Sequence, residues 1–393
     1  MAPSREPLLT PPFLMAGLAN LMHGLALHSY LHLPGYLEDL GATPTMVGIV
    51  FGFMSGTALF IRPFAGRVMD GAGRRVVILA AGVMHLSACA LYLTVDAIGP
   101  WIFFVRGLQG FASGAMFSSL FTFAADIVPA SRRTEGMGLF GVSGMLPISL
   151  GGLLGDFVLA RGSYHDLFLV SVGITTAALL VSLPLKEPAR PRGANVVARG
   201  FFDALGQRDL LPIWFVGSAM ATALAAAFSF LKNYVEHEQI GTVGTFFSFY
   251  AGTAIALRVF LGWLPDRVGA KKVFYPAMAS IGAAMATLAL ASDVVGIAVA
   301  GVFAGLGHGF AFPILSALTV TRANPGDRGS AVSLFTAVFD AGILLGGFLF
   351  GPIAGEERDY RTMYAVAAVI PVASTVVFHL WDRAVPPVVE PDR

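Results

Sequence analysis

The chain is 393 residues long; 56% are hydrophobic, only 12% are charged, and the mean hydropathy is +0.74. A soluble domain carries about twice that charged share, so most of this surface is expected to face lipid. A net charge of +1 argues against a nucleic-acid partner, and the single Cys89 excludes an intrachain disulfide and suggests no metal cluster.

About 20 apolar residues cross the hydrocarbon core. Backbone groups in lipid have to be satisfied within their own segment, so each such run predicts a helix. The polar start, "MAPSREPLLTPP", precedes an apolar run too long for a signal peptide, and none is expected. The first span, 12–36, carries Asn20 and His23 on one face with Gly24, Leu27, Leu31 and Pro34, and has His28 and His32 on its flank. The second, 45–66, ends with Arg62 and Gly66, then opens into the polar turn "GRVMDGAGRR", which holds Asp70, Gly73, Arg74 and Arg75. After 76–95 comes 101–127, with Arg106 and Gln109 three residues apart on one face and Asp126 at its foot. Spans 136–160 and 164–185 complete a first set. The long polar break 186–209 reads as a linker. The second set is 210–232, 241–264 with Arg258 and Gly262, 273–292, 295–320 with His308, 329–352 with Asp340, and 361–383.

Eighteen of the 25 Lys and Arg fall on one side of this arrangement, the side of both termini. Four fall on the other (Arg161, Lys232, Arg358, Arg361) and three lie within spans (Arg62, Arg106, Arg258). Basic loops stay in the cytoplasm, so both termini are expected there, in a plasma (inner) membrane.

The chain also repeats itself. Residues 51–78 lie over 247–274 without a gap, matching Gly56, Arg62, Phe64, Gly66, Asp70 and Gly73 among others. "LFGVSGMLPISLGG" (139–152) lies over "LFTAVFDAGILLGG" (334–347). Two six-span units running in the same direction mark an alternating-access transporter with its site between the halves. The expected fold is therefore all-α: twelve transmembrane helices in two parallel six-helix bundles, 1–185 and 210–393, joined by the linker 186–209.

At these residues the chain resembles the major facilitator superfamily over essentially its whole length. "GRVMDGAGRR" is similar to that family's signature turn, with a second copy in "GWLPDRVGAKK" (Gly262, Asp266, Gly269). "RGLQGFASGA" resembles its fourth-helix motif, and "FDAGILLGG" looks most like bacterial arabinose-efflux and drug-efflux exporters. The fifth-helix antiporter motif is half present, with Pro147 and paired glycines at a spacing that departs by one residue.

Glycine at 66 lets helices approach closely, and Asp70 can accept from free N–H groups at a helix N-terminus. The resemblance implies that this terminus belongs to the eleventh span, near Gly329. Arg74 or Arg75 is expected to pair with Asp126, closing the cytoplasmic side as a latch. In the second copy Asp266 would meet the start of the fifth span, but Asp126 is matched by Arg322, so its acid is missing. Arg62 and Arg258 recur under the repeat and are expected at the seam between the halves, paired with loop acids.

Ionisable groups within a membrane are functional candidates by default. Asp340 lies about mid-depth, its repeat partner is Met145, and it is the foremost candidate for proton exchange. The resemblance implies a part in proton coupling for Arg106. Asn20, His23, Gln109 and His308 are the candidates for lining the cavity; histidines this scattered make no metal motif.

No phosphate-binding G-x-x-x-x-G-K-[ST] and no nucleophile–base pair is present, so neither ATP hydrolysis nor an enzyme is expected, and no cofactor. The function expected is proton-coupled export of a small organic molecule by a monomer whose partners are substrate, protons and lipid. The alternatives are an importer or facilitator of a small organic anion drawn by Arg106, and a membrane receptor that does not transport.

Overall fold

The computed structural model describes residues 7–129, 132–188, 206–324 and 328–383. The side chains of Asp70, Arg133, Thr134, Glu135, Arg328 and Gly329 also lie outside the described set, as do 189–205 of the expected linker. The described residues are helical: α1 (Pro11–Ser29), α2 (Leu33–Asp39), α3 (Pro44–Ala72), α4 (Arg74–Tyr92), α5 (Pro100–Ile127), α6 (Arg133–Leu159), α7 (Tyr164–Ser182), α8 (Leu211–Glu238), α9 (Val243–Leu261), α10 (Leu264–Val268), α11 (Ala270–Leu290), α12 (Val294–Arg322), α13 (Arg328–Ala354) and α14 (Tyr360–Asp382).

Local sequence sets the helix starts. Proline occupies the first turn of α1, α3 and α5, where its missing N–H is no loss. Thr43, Thr242, Asp293 and Asp359 cap the helices that follow them, and Ser163 with Asp166 forms a reciprocal capping box. The first expected span is interrupted: α1 passes through a 3-10 turn, Tyr30–His32, into α2, with Pro34 in the first turn of α2.

Ten helices are long and apolar enough to cross a membrane among the described residues. The two expected spans that fall short are α1 and α5. Their apolar character is diluted by Asn20 and His23, and by Arg106 and Gln109, all buried inside the protein. Large apolar side chains cover the outside, with Phe260 72% and Leu290 80% exposed. That surface suits lipid rather than water.

The packing is duplicated. α3 and α4 pack on α5, and α1 packs on α6 and α7; α9 and α11 pack on α12, and α8 packs on α13 and α14. The two sets meet mainly through α3 with α13 and α6 with α9. At both seams the tight approaches lie at the end opposite the signature turns. A Cβ on Gly48 or Gly347 would strike the other's carbonyl oxygen, and Gly351 faces the backbone of Pro44. At the second seam a Cβ on Gly152 would lie 3.2 Å from the Cα of Gly244. At the signature end, by contrast, a Cβ on Gly66 would meet nothing within 4 Å. The close helix approach expected at Gly66 is thus absent, and the equivalent approaches occur at the far end.

Candidate functional site at the seam between the halves

α3 carries Arg62 towards α13, and α13 carries Asp340 towards α3. Arg62 donates from Nε to Asp340 Oδ2 at 2.7 Å, and its Nη2 lies 2.7 Å from the same oxygen. Arg62 Nη1 donates to Ser118 Oγ on α5 at 3.2 Å, and its guanidinium lies 5.5 Å from the Phe117 ring centroid. Relative exposures of 9% and 20% leave little water to screen the pair. The expected seam role of Arg62 acquires a partner the sequence reading placed elsewhere: the acid is intramembrane Asp340, not a loop residue.

Arg258 occupies the matching place on α9 and reaches across to α6, where a Cβ on Gly141 would stand 3.9 Å from its Nη1. Among the described residues it has no carboxylate within ion-pair distance. Nearby, the Tyr250 hydroxyl and His308 Nδ1 are 2.5 Å apart, with their rings stacked.

The other expected cavity and coupling residues are distributed unevenly. Arg106 is 2% exposed; it donates to Gln109 Oε1 at 2.6 Å and lies 4.4 Å from the Phe51 ring centroid. Tyr92 donates to the same Gln109 oxygen at 2.8 Å. This cluster sits inside the first bundle, so Arg106 does not reach out to headgroups. His23 is equally enclosed, with its Nδ1 3.4 Å from Nδ1 of His85. Asn20 donates to Ser143 Oγ on α6 at 2.9 Å, beside the α6–α9 seam. Of the four cavity candidates, Asn20 and His308 lie nearest the seams; Gln109 and His23 are locked into their own bundle.

The signature turn binds its own half. Gly73 has φ 106°, a left-handed conformation, and a Cβ there would strike the Glu187 carboxylate. Glu187 accepts from the backbone N–H of Arg74 and of Arg75, each at 2.8 Å, and so neutralises the N-terminus of α4. Arg74 pairs with Asp126 at 2.8 Å, and Arg75 donates to the carbonyls of Leu185 and Leu183. The Asp70 side chain and the start of α13 near Gly329 lie outside the described residues. In the second copy Gly269 has φ 108° and Asp266 is exposed; Gly262 crowds the Arg258 carbonyl closely enough to leave no room for a side chain. The acid missing at position 322 is supplied from another helix. Asp382 of α14 is 2.6 Å from Arg322 and also pairs with Lys271.

The far end carries a join that sequence reasoning missed. Asp156, at the end of α6, accepts from the Gly244 backbone N–H at the start of α9 at 2.7 Å and pairs with His32 at 2.8 Å. Here a carboxylate from one half sits on the helix N-terminus of the other. Ser149 to Ser248 at 3.2 Å, Asn233 to the Pro34 carbonyl at 3.3 Å and Tyr360 to Glu38 at 2.8 Å extend the closure. The repeated "GG" of "GGLLGDF" was the available signal, since close packing there brings Asp156 to α9. Among the described residues no group of three His, Cys, Asp or Glu could hold a metal.

Two like-packed helical bundles meeting at a partly polar seam have the architecture of a membrane transporter. A family model described as Major Facilitator Superfamily matches residues 13–294 and 213–393. The chain belongs to that superfamily, whose members are transporters rather than enzymes, and it is an integral membrane protein. The staphylopine export protein of Staphylococcus aureus strain Mu50 is 25% identical over 387 residues, covering 94% of this chain and 96% of that protein. The multidrug resistance protein MdtL of Klebsiella pneumoniae is 25% identical over 195 residues, 49% of this chain and 48% of that protein. Among solved structures, the nucleoside transporter NupG has a TM-score of 0.73 at 15% identity, covering 94% of this chain and 98% of that one. The human organic anion transporter MFSD10 (TETRAN) has a TM-score of 0.69 at 16% identity, covering 94% of this chain and 100% of that one. Likeness at such identities shows a shared fold.

Proposed function

We propose that this transporter exports a small organic molecule across the inner membrane in exchange for protons. Its halves, 1–185 and 210–393, rock about the seam, with 186–209 as a cytoplasmic linker. The observation that carries this reading is the Arg62–Asp340 ion pair, which joins the two halves through a group able to take up a proton. The weight of basic residues puts the signature end in the cytoplasm. The conformation is then inward-facing: shut outside by Asp156, Gly48 and Gly347, and apart inside at Gly66.

In the cycle, Asp340 releases its proton to the cytoplasm and the carboxylate is held by Arg62. Cargo enters from the cytoplasm, past Asn20 and His308. Rocking outward separates Asp156 from Gly244 and closes the signature end, where Asp70 would cap the eleventh span. A proton arriving from outside then neutralises Asp340, cancels its attraction to Arg62 and permits the return. Arg106, buried with only neutral partners, supplies a fixed positive charge within the first bundle. Arg74 and Asp126 keep the signature turn rigid; Gly262, Asp266 and Gly269 do the same in the second copy. The protein works as a monomer without a cofactor.

The names of the staphylopine and MdtL relatives support export. A facilitator of an organic anion is the second reading, favoured by Arg106 and Arg258, neither of which has an acid among its described contacts. Both are tested in proteoliposomes with a pH-sensitive dye, over a panel of organic acids, amines and nucleosides. Export by exchange predicts substrate-dependent proton movement that is lost in Asp340→Asn. Substrate flux indifferent to the pH gradient would overturn coupling and leave the facilitator.

A further inference from the structure

We propose that Arg258, with Tyr250 and His308, forms an anion seat that takes the carboxylate of an organic acid with an aromatic or similarly apolar body. This deepens the transport reading and rests on it for physiological meaning.

Four observations converge. First, the repeat places Arg258 where Arg62 stands in the other half, and Arg62 is neutralised by Asp340. The position matching Asp340 is Met145, and among the described residues Arg258 has no acid within ion-pair distance. Second, the Nε of Arg258 is buried with no hydrogen-bond partner, and so is Nε2 of His308. If Tyr250 donates to His308 Nδ1, Nε2 carries the imidazole proton and becomes a second free donor. A buried guanidinium N–H and an unmet imidazole donor are both costly unless something accepts from them. Third, the guanidinium reaches the α6–α9 seam beside Gly141, so it does not extend towards headgroups at the loop. Fourth, the walls are aromatic. His308 lies 5.7 Å from Tyr250, 5.4 Å from Phe312 and 5.9 Å from Phe339 between ring centroids, and Phe339 adjoins Asp340.

The chemistry favours a carboxylate. A guanidinium fork matches its two oxygens, and one cation balances its single charge. A phosphate dianion would keep a second charge with no cation to meet it.

The test uses purified full-length protein in detergent and compares benzoate, benzamide and phenyl phosphate by thermal unfolding and tryptophan fluorescence. Benzoate should stabilise the wild type in a concentration-dependent way; benzamide, which has the same ring without the charge, should not. Arg258→Gln should weaken benzoate about tenfold or more. Met145→Asp gives Arg258 an internal acid and should abolish the benzoate response while the protein still melts cooperatively. No response in the wild type, an equal response to benzamide or phenyl phosphate, or unchanged benzoate affinity in both variants would overturn the proposal. Loss of the response when phosphatidylglycerol is added would reassign the seat to lipid and overturn it as well. Binding is read at equilibrium, so a failed proton-coupling assay leaves it standing, and its own failure leaves the flux measurement intact.

Discussion

Arg62 on α3 and Arg258 on α9 occupy matching positions, each one turn before the glycine of a signature stretch, yet among the described residues only Arg62 faces a carboxylate. The seams differ at their far ends too. α3 and α13 touch there through bare backbone at Gly48 and Gly347, whereas α6 and α9 are tied by Asp156 on the N-terminus of α9. Duplication has copied the scaffold and the two arginines, but Asp340 is matched by Met145. Among the described residues each seam keeps one such device, an acid–cation pair at mid-depth on the first and an acid on a helix N-terminus at the far end of the second. On the transport reading proposed above, that division would let the mid-depth tie answer to protonation and the far tie to the separation of the halves.

The largest effect should come from breaking the Arg62–Asp340 pair. Asp340→Asn leaves a buried guanidinium alone and should lower stability by about 3–5 kcal/mol. Adding Arg62→Gln should recover most of that loss, and Arg258→Gln should cost far less than Asp340→Asn, all measured as detergent melting curves. If Arg258→Gln proved as costly, the seams would not be asymmetric.

Next in size is the far end. Gly347→Ala drives a methyl into the Gly48 carbonyl and should disfavour closure by about 1–3 kcal/mol. The readout is faster thiol labelling of a cysteine placed at Thr45. Asp156→Asn, at the other seam, keeps the shape and removes a charge, so a shift of about 1–2 kcal/mol is expected, read with a cysteine at Thr242. Equal labelling in wild type and both variants would mean that neither contact holds the end shut.

Effects of comparable size separate the two signature turns. Gly73→Ala meets both a left-handed backbone and the Glu187 carboxylate, for about 2–3 kcal/mol, whereas Gly269→Ala meets mainly the backbone term, about 1 kcal/mol. A reversed order of melting temperatures would show that Glu187 does not fix the first turn. Smallest is Glu187→Gln, which removes the charge at the start of α4 and should cost about 0.5–1 kcal/mol, less in high salt.

Spans, repeat and turns were legible because each rests on local sequence: apolar length, glycine at a left-handed position, proline in a first turn. The Arg74–Asp126 tie was legible as one of two choices, since the turn follows α3 directly and Asp126 sits at the foot of a neighbouring helix. What sequence hid is what tertiary packing decides. Asp340 and Arg62 are 278 positions apart, and nothing near either names the other. His23 looked like a cavity residue because its helix face was right. Which neighbour that face meets depends on α4, where His85 had drawn no notice. The expectation at Gly66 failed for a different reason. A glycine permits a close approach without requiring one, and nothing near Gly66 in sequence fixes how far the neighbouring helix stands.

Asp382, near the end of α14, holds Lys271 and Arg322 together. A chain cut just before it would keep almost every membrane-crossing residue and still set two lysine and arginine heads loose at the mouth of the second bundle. Trimming or tagging at the carboxyl terminus is therefore a mechanical intervention: the safe place for an affinity handle lies beyond residue 382, and an inert truncated protein would say nothing about the transport pathway itself.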